Sequence, residues 1–500
     1  MKLLGLRLCE HDSNISYFDG TKLHYYKSER DYQIKHHGYN DLVTWRDDIQ
    51  RIFGVKPNEI DDIAIVIDPW QHNFPTDNEE FFPAIDYPLF KADCPVQRIN
   101  HHYAHALSCF PVNSKIPDVE VVIDGFGDIN NAWTVFKDNE VFERGYYKEH
   151  GSLGVEMAQA GKWLNIKYDK WSEYDIAGKL MGLQAYGNHI EEFAKFLPQS
   201  ILRTNGIFDR EKWFRFIGNE LIGTLKPLDW IRTVHNHMGD VLVKFFERIA
   251  DNNYNSIITY SGGVAQNVIW NTKLKNKFPN LIIPPHCNDE GLSLGAIEYL
   301  RIKHNLPKFN LDNFPYCQSD NSPEDEADGM TIMKTVEMLK EGKIVGWYQG
   351  NGEIGPRALG HRSLLINPMI KNAKDIINKV KKRETYRPFG ASILKEYVKE
   401  YFDTDIHNPH MLYVGNTTKD NLNSITHIDG TCRYQTVDES NGVYHRLLKH
   451  FHLETGCPLI LNTSFNINGK PILGNKIDTI KFFRESDIDA VVIGNTIINS

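Results

Sequence analysis

Cysteine and long apolar runs are scarce in this chain of 500 residues, and its 56 Lys and Arg residues are outnumbered by 65 Asp and Glu residues. Its 7 cysteines include no Cys-x-x-Cys pair, which argues against a zinc knuckle or a disulfide framework and favours a reducing compartment. The formal net charge of -9 argues against a general affinity for nucleic acid or anionic membranes. No stretch approaches the roughly 20 apolar residues of a membrane span, and charged residues interrupt the N-terminal apolar run too early for a signal peptide. We therefore expect a cytoplasmic protein without membrane contact.

Two similar segments of the chain indicate an internal duplication. Residues 3–18 have the pattern of a strand, a polar turn and a second strand, and the same order recurs at 119–136. The repetition predicts a duplicated α/β domain with a site between its halves. An acidic stretch at 317–329 has no periodic apolar pattern and is the best linker candidate, so we predict domains at 1–325 and 326–500. Each repeat ends at a turn signal, Asp19-Gly20 in the first and Asp138-Asn139 in the second.

Positive charge is concentrated in the C-terminal part of this acidic chain. Arg357 and Arg362 follow the rigid Gly355-Pro356 turn, and arginine offers a planar fork of donors suited to phosphate or carboxylate oxygens. Further candidates come later in the chain: Lys382, Arg387 beside a Pro-Phe step, Arg433, and the polar cluster Asn462, Ser464 and Asn466. So many donors predict a site for a small, multiply charged anion.

Two histidines with helical spacing are candidate metal ligands. His101 and His105 are four residues apart, so on a helix they share one face and can ligate one ion. Such a pair alone is more often structural, but Asp124 and Asp289 lie on turns that can complete the set. Two imidazoles and two carboxylates without a thiolate suit iron, manganese or zinc.

Other motifs admit two interpretations each. Gly262-Gly263 after a strand is either a phosphate cradle or an ordinary tight turn. Lys179 either meets a nucleotide or is a surface lysine. His11, followed by Asp12, is either a general base toward a hydroxyl or a turn histidine.

Taken together, ten ordered sequence blocks resemble the O-carbamoyltransferase family, which includes nodulation-factor and antibiotic-tailoring enzymes. The resemblance runs from about residue 8 to about residue 475. It implies an N-terminal actin-like ATPase domain, similar to the tRNA threonylcarbamoyl transferase, and a C-terminal YrdC-like α/β domain. The blocks are HDSN, HHYAH, DGFGD, GKLMGLQAYG, SGGVAQN, NDEGLSLGA, GPRALGHRSLL, KKRETYRPFG, HIDGTCRYQ and NTSFNINGKPI.

The resemblance also implies a reaction. Carbamoyl phosphate is cleaved to carbamate, ATP with Mg²⁺ converts the carbamate to carbamoyl-adenylate, and an acceptor hydroxyl attacks the adenylate. The implied metal ligands are His101, His105, Asp124 and Asp289, with His11 and Asp12 at the transfer step. The blocks that line the adenylate supply Lys179, Gly262, Gly263 and Asn267. The blocks that hold carbamoyl phosphate and ATP supply Arg357, Lys382, Arg387, Arg433, Asn462, Ser464 and Asn466.

The acceptor is the least determined part of this prediction. A small hydroxylated metabolite or sugar is the default, and a hydroxymethylated pyrimidine, as nucleotide or in DNA, is the alternative, with nucleic acid entering only as acceptor substrate. A tRNA threonylcarbamoylation enzyme and a non-enzymatic actin-like ATP-binding scaffold are the competing classes. The chain also departs from the family pattern, with His361 where asparagine is frequent, MGLQAYG for MGLAPYG, and a shorter length. Both a monomer and a dimer are compatible with the sequence.

Overall fold

The chain folds into two compact units in a computed structural model. Unit 1 comprises Met1–Leu23 and Gly38–Leu311, and unit 2 comprises His24–His37 and Asp312–Ser500. Residues 319–325 of the predicted linker lie outside the described residues, so the domain boundary at 325 stays a prediction. The structure describes residues 1–8, 11–39, 41–67, 81–89, 91–111, 113, 115–161, 173–204, 208–209, 225–309, 311–318 and 326–500.

Strands and helices alternate through the first three hundred residues. The strands are β1 Leu3–Arg7, β2 Asn14–Phe18, β3 Leu23–Lys27, β4 Asp62–Val66, β5 Ala84–Asp86, β6 Val96–Ile99, β7 Val119–Ile123, β8 Asn131–Lys137, β9 Glu140–Tyr146, β10 Ile258–Ser261 and β11 Leu281–Ile282. The helices are α1 Ser28–Tyr32, α2 Trp45–Phe53, α3 His101–Leu107, α4 Tyr147–His150, α5 Leu153–Ala160, α6 Glu173–Leu183, α7 Glu191–Ala194, α8 Pro227–Ile249, α9 Val268–Lys277 and α10 Leu292–Lys303. Short 3-10 turns lie at Pro57–Glu59, Asp128–Asn130, Gln184–Tyr186, Gly263–Gln266 and Asp289–Gly291.

The two sheets of unit 1 repeat one topology. Five strands of the first sheet lie wholly in this unit, in the order β2-β1-β4-β6-β5, with β1 antiparallel to β2 and parallel to β4, and β4 parallel to β6. The second sheet has the order β9-β8-β7-β10-β11, with β7 antiparallel to β8 and parallel to β10, and β10 parallel to β11. In each sheet the first strand of the repeat lies between its hairpin partner and a parallel strand. This duplication, in a chain of mixed α/β structure, confirms the predicted fold class.

The turns that close the two hairpins follow from their residue types. Gly20 has φ 105°, and Asp138 and Asn139 have φ 53° and 61°. Glycine, aspartate and asparagine are the residues that accept this left-handed region most readily, and two such residues in succession suit the right-handed twist of a tight hairpin. Local sequence therefore sets the turn that follows β2 and the turn that joins β8 to β9.

Helix α10 packs unusually close to its neighbours. A Cβ on Gly5 of β1 would lie 2.3 Å from the carbonyl oxygen of Ser293, and a Cβ on Gly295 would lie 1.8 Å from that of Ala104. Backbone therefore meets backbone where α10 crosses β1 and α3. This close approach brings the residues just before α10, including Asp289, beside the histidines of α3.

Unit 2 is built on one mixed sheet of eight strands, in the order β15-β16-β14-β17-β13-β12-β18-β19. Its apolar core lies against this sheet and includes Val345, Trp347, Leu364 and Leu461. The strands are β12 Val345–Tyr348, β13 Arg362–Ile366, β14 Gly390–Leu394, β15 Val414–Asn416, β16 Thr431–Val437, β17 Leu459–Ser464, β18 Ala490–Ile493 and β19 Thr496–Asn499. The helices are α11 Gly329–Lys340, α12 Ala373–Lys381, α13 Val398–Tyr401, α14 Gly442–Thr455 and α15 Lys476–Glu485, with 3-10 turns at Lys395–Tyr397 and Glu439–Asn441.

The helices within the described residues include α8, which has 23 residues. None of these helices is both long enough and apolar enough to cross a bilayer.

Replacing Gly295 by alanine tests the close packing of α10. The added methyl group has no space beside the Ala104 carbonyl, so G295A is expected to destabilise unit 1 by about 1–3 kcal/mol or more. Gly178 on α6 offers a matched control, because nothing lies within 4 Å of the position that an alanine methyl group would take there. G178A should be neutral or stabilising by up to about 1 kcal/mol. Denaturant unfolding of both variants measures the difference, and equal stability of G295A and wild type would contradict the packing described.

Candidate functional site

Two imidazoles and two carboxylates converge in unit 1. The Nε2 atom of His105 lies 3.0 Å from Oδ2 of Asp124 and 3.3 Å from Oδ1 of Asp289. The Nε2 atom of His101 lies 3.5 Å and 3.7 Å from the same two oxygens. One candidate ligand atom from each residue lies within 4.8 Å of all the others. The structure thus brings together the four residues that the sequence analysis named as metal ligands.

Helix α3 sets the direction of the two imidazoles. Asn100 caps the helix, with its side-chain oxygen accepting a hydrogen bond from the Tyr103 N–H at 3.1 Å. The hydroxyl groups of Ser108 and Ser261 donate to the His105 carbonyl oxygen at 2.7 Å and 3.0 Å. Four-residue spacing on a helix that is fixed at both ends therefore points both rings at the carboxylates.

In each carboxylate, one oxygen accepts hydrogen bonds from neighbouring donors and the other faces the histidines. Oδ1 of Asp124 accepts hydrogen bonds from the Gly125 N–H at 2.6 Å and the Gly263 N–H at 3.2 Å, which leaves Oδ2 toward the histidines. Oδ2 of Asp289 accepts from the buried guanidinium of Arg7 at 2.8 Å, which leaves Oδ1 toward them. Neighbouring donors thus hold one oxygen of each carboxylate in the direction that an ion would need.

The charges of this cluster fit a divalent cation. Burial alone would lower the pKa of His105, but its hydrogen bonds to Asp124 and Asp289 outweigh burial and raise that pKa to about 9. Burial would raise the pKa of Asp124, yet the two histidines hold it well below its ordinary value. Two close carboxylates therefore retain a proton on the imidazole between them, at the place where a metal would supply positive charge instead. Imidazole and carboxylate ligands suit iron, manganese or zinc.

His11 and Asp12 form a second polar pair in unit 1. Nδ1 of His11 lies 3.1 Å from Oδ2 of Asp12, and its Nε2 lies 3.9 Å from Oδ2 of Asp289. The imidazole also contacts Tyr174, with the ring centroids 4.4 Å apart and the rings tilted by 38°. A carboxylate at one ring nitrogen fixes the orientation of the imidazole, and the role of His11 as a general base stays a prediction.

The two amides of the glycine turn after β10 donate hydrogen bonds within the protein, one of them to Asp124. Gly262 has φ 91°, and a Cβ on it would lie 2.2 Å from the Ile123 carbonyl oxygen. Its N–H donates to the Cys287 carbonyl oxygen at 2.6 Å, and the Gly263 N–H donates to Asp124. Both amides are thus engaged within the protein, as in a tight turn.

Asn267 and Lys179 lie on helices of unit 1. Asn267 caps α9 by accepting from the Trp270 N–H at 3.2 Å, and its Nδ2 lies 3.0 Å from Nε2 of His235. Lys179 is half-buried on α6. Contacts within the protein thus occupy both ends of the Asn267 amide, and the roles of Asn267 and Lys179 toward an adenylate stay predictions.

Three guanidiniums of unit 2 lie within electrostatic reach of a fourth, that of Arg433. Burial lowers the pKa of Arg433 well below its ordinary value. Three further guanidiniums lower it in the same direction, those of Arg357, Arg383 and Arg387. Within the described part of the chain, the buried Nε of Arg433 has no hydrogen-bond partner. Clustered cations with unsatisfied donors form a site for an anion.

Lys381 lies beside this cluster. Its Nζ contacts the backbone oxygen of Ser464 and Oδ1 of Asn466, and it donates to Oγ of Ser464 at 3.0 Å. Burial, and then the charges of Arg383 and Arg387, lowers the pKa of Lys381 well below that of a free lysine. The neighbouring Lys382, which the sequence analysis named, is exposed at the left-handed end of α12 with φ 50°.

Other predicted residues of unit 2 have varied surroundings. Asn462 is buried and donates to the Ala358 carbonyl oxygen at 3.2 Å and to Oγ of Ser392 at 2.9 Å. Arg387 lies 3.5 Å from the Glu384 carboxylate. Arg362 departs from the expectation that it offers donors to an anion. Its guanidinium lies against the Tyr348 ring and donates to backbone carbonyl oxygens, because β13 directs it into the fold.

The sequence analysis missed Arg383 and Lys381. Arg383 donates to the Pro388 carbonyl oxygen at 2.6 Å and lies 4.2 Å from the centroid of the Phe389 ring. The available signal was the Lys-x-Arg spacing at the end of a helix. Spacing alone does not reveal which of two adjacent lysines turns inward, because successive residues on a helix point about 100° apart.

An α/β chain with a buried histidine–aspartate cluster in one unit and clustered guanidiniums in the other has the organisation of a group-transfer enzyme that handles anionic substrates. Residues 89–297 match the carbamoyltransferase N-terminus and residues 336–500 match the carbamoyltransferase C-terminus. The chain belongs to the carbamoyltransferase family, which confirms the resemblance and the enzyme class inferred from the sequence.

Several curated relatives share most of the chain. Nodulation protein NolNO of Sinorhizobium fredii is 32% identical over 442 residues, which cover 80% of this chain and 63% of that protein. Nodulation protein NolO of Bradyrhizobium diazoefficiens is 31% identical over 443 residues, covering 79% and 78%. The 3'-hydroxymethylcephem-O-carbamoyltransferase of Amycolatopsis lactamdurans is 29% identical over 334 residues, covering 64% of each chain. The chain thus spans slightly less than two thirds of the first and third of these relatives.

Removal of one histidine tests the metal cluster. We expect purified protein to hold about one divalent ion per chain, and H101A to bind it more than about 100-fold more weakly, because one of four ligands is lost. Elemental analysis after gel filtration, followed by titration of the apoprotein, gives both values. His189 is an exposed histidine that lies 3.1 Å from the Glu191 carboxylate. The control variant H189A should retain the ion. Full metal content in H101A would exclude it as a ligand.

His361 predicts a specific pH dependence of stability. Its ring stacks on Tyr316 with centroids 3.6 Å apart, and burial lowers its pKa to about 4 against the opposing charge of Glu353. The ordinary pKa of 6.5 is higher, so the unfolded chain binds the proton more tightly. The stability that neutral His361 contributes is complete above about pH 6.5 and is lost toward pH 4, by at most about 1.4 kcal/mol per unit.

The asparagine that is frequent at this position provides the test of that dependence. H361N should show a smaller loss of thermal stability than wild type between about pH 6.5 and pH 4.5. The variant H450N removes an exposed histidine of the same unit and should keep the wild-type slope. Identical slopes in H361N and wild type would show that His361 does not titrate in this window.

Proposed function

We propose that this protein is an ATP-dependent O-carbamoyltransferase, which forms carbamoyl-adenylate from carbamoyl phosphate and ATP and transfers the carbamoyl group to a hydroxyl. Family membership supports carbamoyl transfer. The observation that carries the ATP-dependent activation is the crowding of Arg357, Arg383 and Arg387 around Arg433. Four cations that repel one another favour a ligand with several negative charges, such as a polyphosphate beside a second phosphate compound.

The donor half-reaction is assigned to unit 2, in the YrdC-like role. Water cleaves carbamoyl phosphate to carbamate and inorganic phosphate. A carbamate oxygen then attacks the α-phosphorus of ATP, the bond to the β-phosphate oxygen breaks, and pyrophosphate leaves with Mg²⁺. The guanidiniums neutralise charge that moves onto the departing phosphates, which is the contribution that fixed donors make most effectively in a site with little water.

Lys381 takes the role in this half-reaction that the sequence analysis gave to Lys382. Its amino group is buried and linked to Ser464 and Asn466, so its position is fixed before any substrate arrives. An entering polyphosphate would favour the charged form of this lysine, because burial and two neighbouring cations otherwise disfavour that form. Asn462 contributes by holding the backbone next to Arg357.

The transfer half-reaction is assigned to unit 1. The acceptor oxygen attacks the carbonyl carbon of carbamoyl-adenylate, the bond to the adenylate oxygen breaks, and AMP leaves. His11 accepts the hydroxyl proton at Nε2 while Asp12 holds Nδ1, which fixes the direction of the base. A divalent ion held by His101, His105, Asp124 and Asp289 would supply positive charge for the phosphate of the leaving AMP.

A small hydroxylated metabolite or sugar is the acceptor that these features favour. The net charge of -9 opposes a polyanionic acceptor such as DNA. One exposed aromatic side chain, Tyr174, lies against His11, and a second, Phe126, follows Asp124 by two positions in the sequence. Such rings suit a compact acceptor with an apolar face. By its name, the 3'-hydroxymethylcephem relative acts on a hydroxymethyl group of this kind.

Loss of one guanidinium tests the donor half-reaction. R433Q removes the cation at the centre of the cluster, and we expect carbamoyl phosphate-dependent release of pyrophosphate from ATP to fall about 10²–10³-fold. R446Q changes a half-exposed arginine of the same unit, whose carboxylate neighbour Glu326 lies 3.7 Å away, and should keep the wild-type rate. Normal pyrophosphate release in R433Q would remove the basis of the assignment.

The acceptor requires a separate experiment. Purified protein with carbamoyl phosphate, ATP and Mg²⁺ is incubated with panels of sugars, hydroxylated metabolites and a hydroxymethylcytosine oligonucleotide, and mass spectrometry detects the added carbamoyl group. We expect transfer to a small molecule. Saturable transfer to the oligonucleotide instead would move the assignment to nucleic-acid modification, and a response to bicarbonate and threonine would indicate threonylcarbamoylation.

A further inference from the structure

We propose that Glu353 and Arg30 are positioning residues that hold the loop of Arg357 in the shape needed to bind an anion. The arginine loop is defined as residues 355–362. The inference rests on the proposed function only for its catalytic consequence, because anion binding by the loop is measurable without turnover. Neither residue is among the predicted site residues, and in this proposal neither contacts the anion directly.

The Glu353 side chain closes the arginine loop by accepting hydrogen bonds from backbone N–H groups of the loop. One oxygen of its buried carboxylate, Oε1, accepts hydrogen bonds from the N–H groups of Leu359 at 2.8 Å, His361 at 2.8 Å and Arg362 at 3.0 Å. These donors lie six to nine residues downstream of the acceptor. A single charged oxygen thus ties both ends of the loop together, and the segment between them is shaped around it.

Arg30 holds the opposite side of the same loop. Its guanidinium donates to the Gly355 carbonyl oxygen at 2.7 Å, and the side chain is buried. Gly355 has φ 91°, so the chain reverses direction just before Arg357. The segment from His24 to His37 belongs to unit 2, and the carbonyl oxygen of Arg30 lies so near Gly474 that a Cβ there would be only 2.1 Å away. Arg30 therefore comes from a closely packed segment.

The residues directly after Arg357 are fixed as well. The Ala358 carbonyl oxygen accepts from Asn462 at 3.2 Å, and the Leu359 carbonyl oxygen accepts from the Tyr316 hydroxyl and from Gln435, each at 2.9 Å. With Gly355 held on one side and Leu359 on the other, the Cα–Cβ direction of Arg357 is determined by the backbone. A preset direction lowers the conformational entropy that anion binding must overcome.

A carboxylate suits this position better than a neutral side chain. Hydrogen bonds to a charged acceptor are about twice as strong as neutral ones, and three amides converge on one oxygen. Burial would raise the pKa of Glu353, but the neighbouring His361, the loop amides and Arg30 hold it below its ordinary value. The lowered pKa favours the ionised form of Glu353, and Oε1 is the oxygen that the three loop amides contact.

The test compares anion binding by full-length variants. Titration calorimetry measures inorganic phosphate and pyrophosphate binding to wild type, R357Q, E353Q and the double variant. R357Q identifies the anion that the loop binds. E353Q should weaken binding of that same anion roughly tenfold or more, since a charge-assisted contact becomes misplaced. In the R357Q background E353Q should add little further loss, because both changes remove one interaction. R30Q should behave like E353Q with a smaller effect.

A merely structural role predicts a different pattern. Asp328 caps α11 by accepting from the Thr331 N–H at 2.8 Å, so D328A removes this cap, destabilises unit 2 without touching the loop and should leave anion binding unchanged. The proposal fails if E353Q binds both anions as wild type does, or if its loss simply adds to that of R357Q. It also fails if D328A, at matched loss of thermal stability, weakens binding as much as E353Q.

Turnover separates this inference from the proposed function. If wild type releases pyrophosphate only when carbamoyl phosphate is present, E353Q should raise the KM for the anionic donor more than it lowers kcat. If wild type releases none while E353Q still weakens anion binding non-additively with R357Q, the proposed function is wrong and the positioning role stands.

Discussion

Like charges held close together in poorly solvated places constrain both units of this protein. Unit 1 brings the carboxylates of Asp124 and Asp289 to the same two imidazoles, and unit 2 brings three guanidiniums to Arg433. Such groupings cost free energy unless something of opposite charge occupies them. Their surroundings hold them in place regardless, through glycine amides and Arg7 in the first case and through a closed backbone loop in the second. Each unit is therefore prepared for a ligand whose charge is opposite to its own.

The rest of the fold can be understood as support for these two groupings. Backbone contact at Gly295 places α10 against α3 and so fixes the distance between Asp289 and the histidines. The glycine turn after β10 supplies an amide to Asp124 where a phosphate cradle was also conceivable. Residues with no chemical role of their own thus determine the geometry of those that have one.

Short sequence patterns predicted the parts of the molecule that interactions between neighbouring residues determine. Glycine, aspartate and asparagine at two turns marked the hairpins, and four-residue spacing put His101 and His105 on one face of a helix. The inward turn of Lys381 and the outward turn of Lys382 depend on how the end of α12 packs, which spacing does not contain. Arg362 looked like a ligand residue because its charge was visible in the sequence, while the carbonyl oxygens that take up its guanidinium were not.

The position of His24–His37 carries a consequence for how the chain can be divided. This short peptide lies early in the sequence but is part of unit 2, where Arg30 braces the turn at Gly355. No single cut of the polypeptide therefore yields two complete halves. A C-terminal fragment starting at Asp312 would lack a piece of its own interior, and the remaining fragment would carry that piece without its surroundings. If the two units were separate polypeptides divided at one point, this peptide would be on one chain and the residues that it packs against on the other. This arrangement favours a single continuous chain.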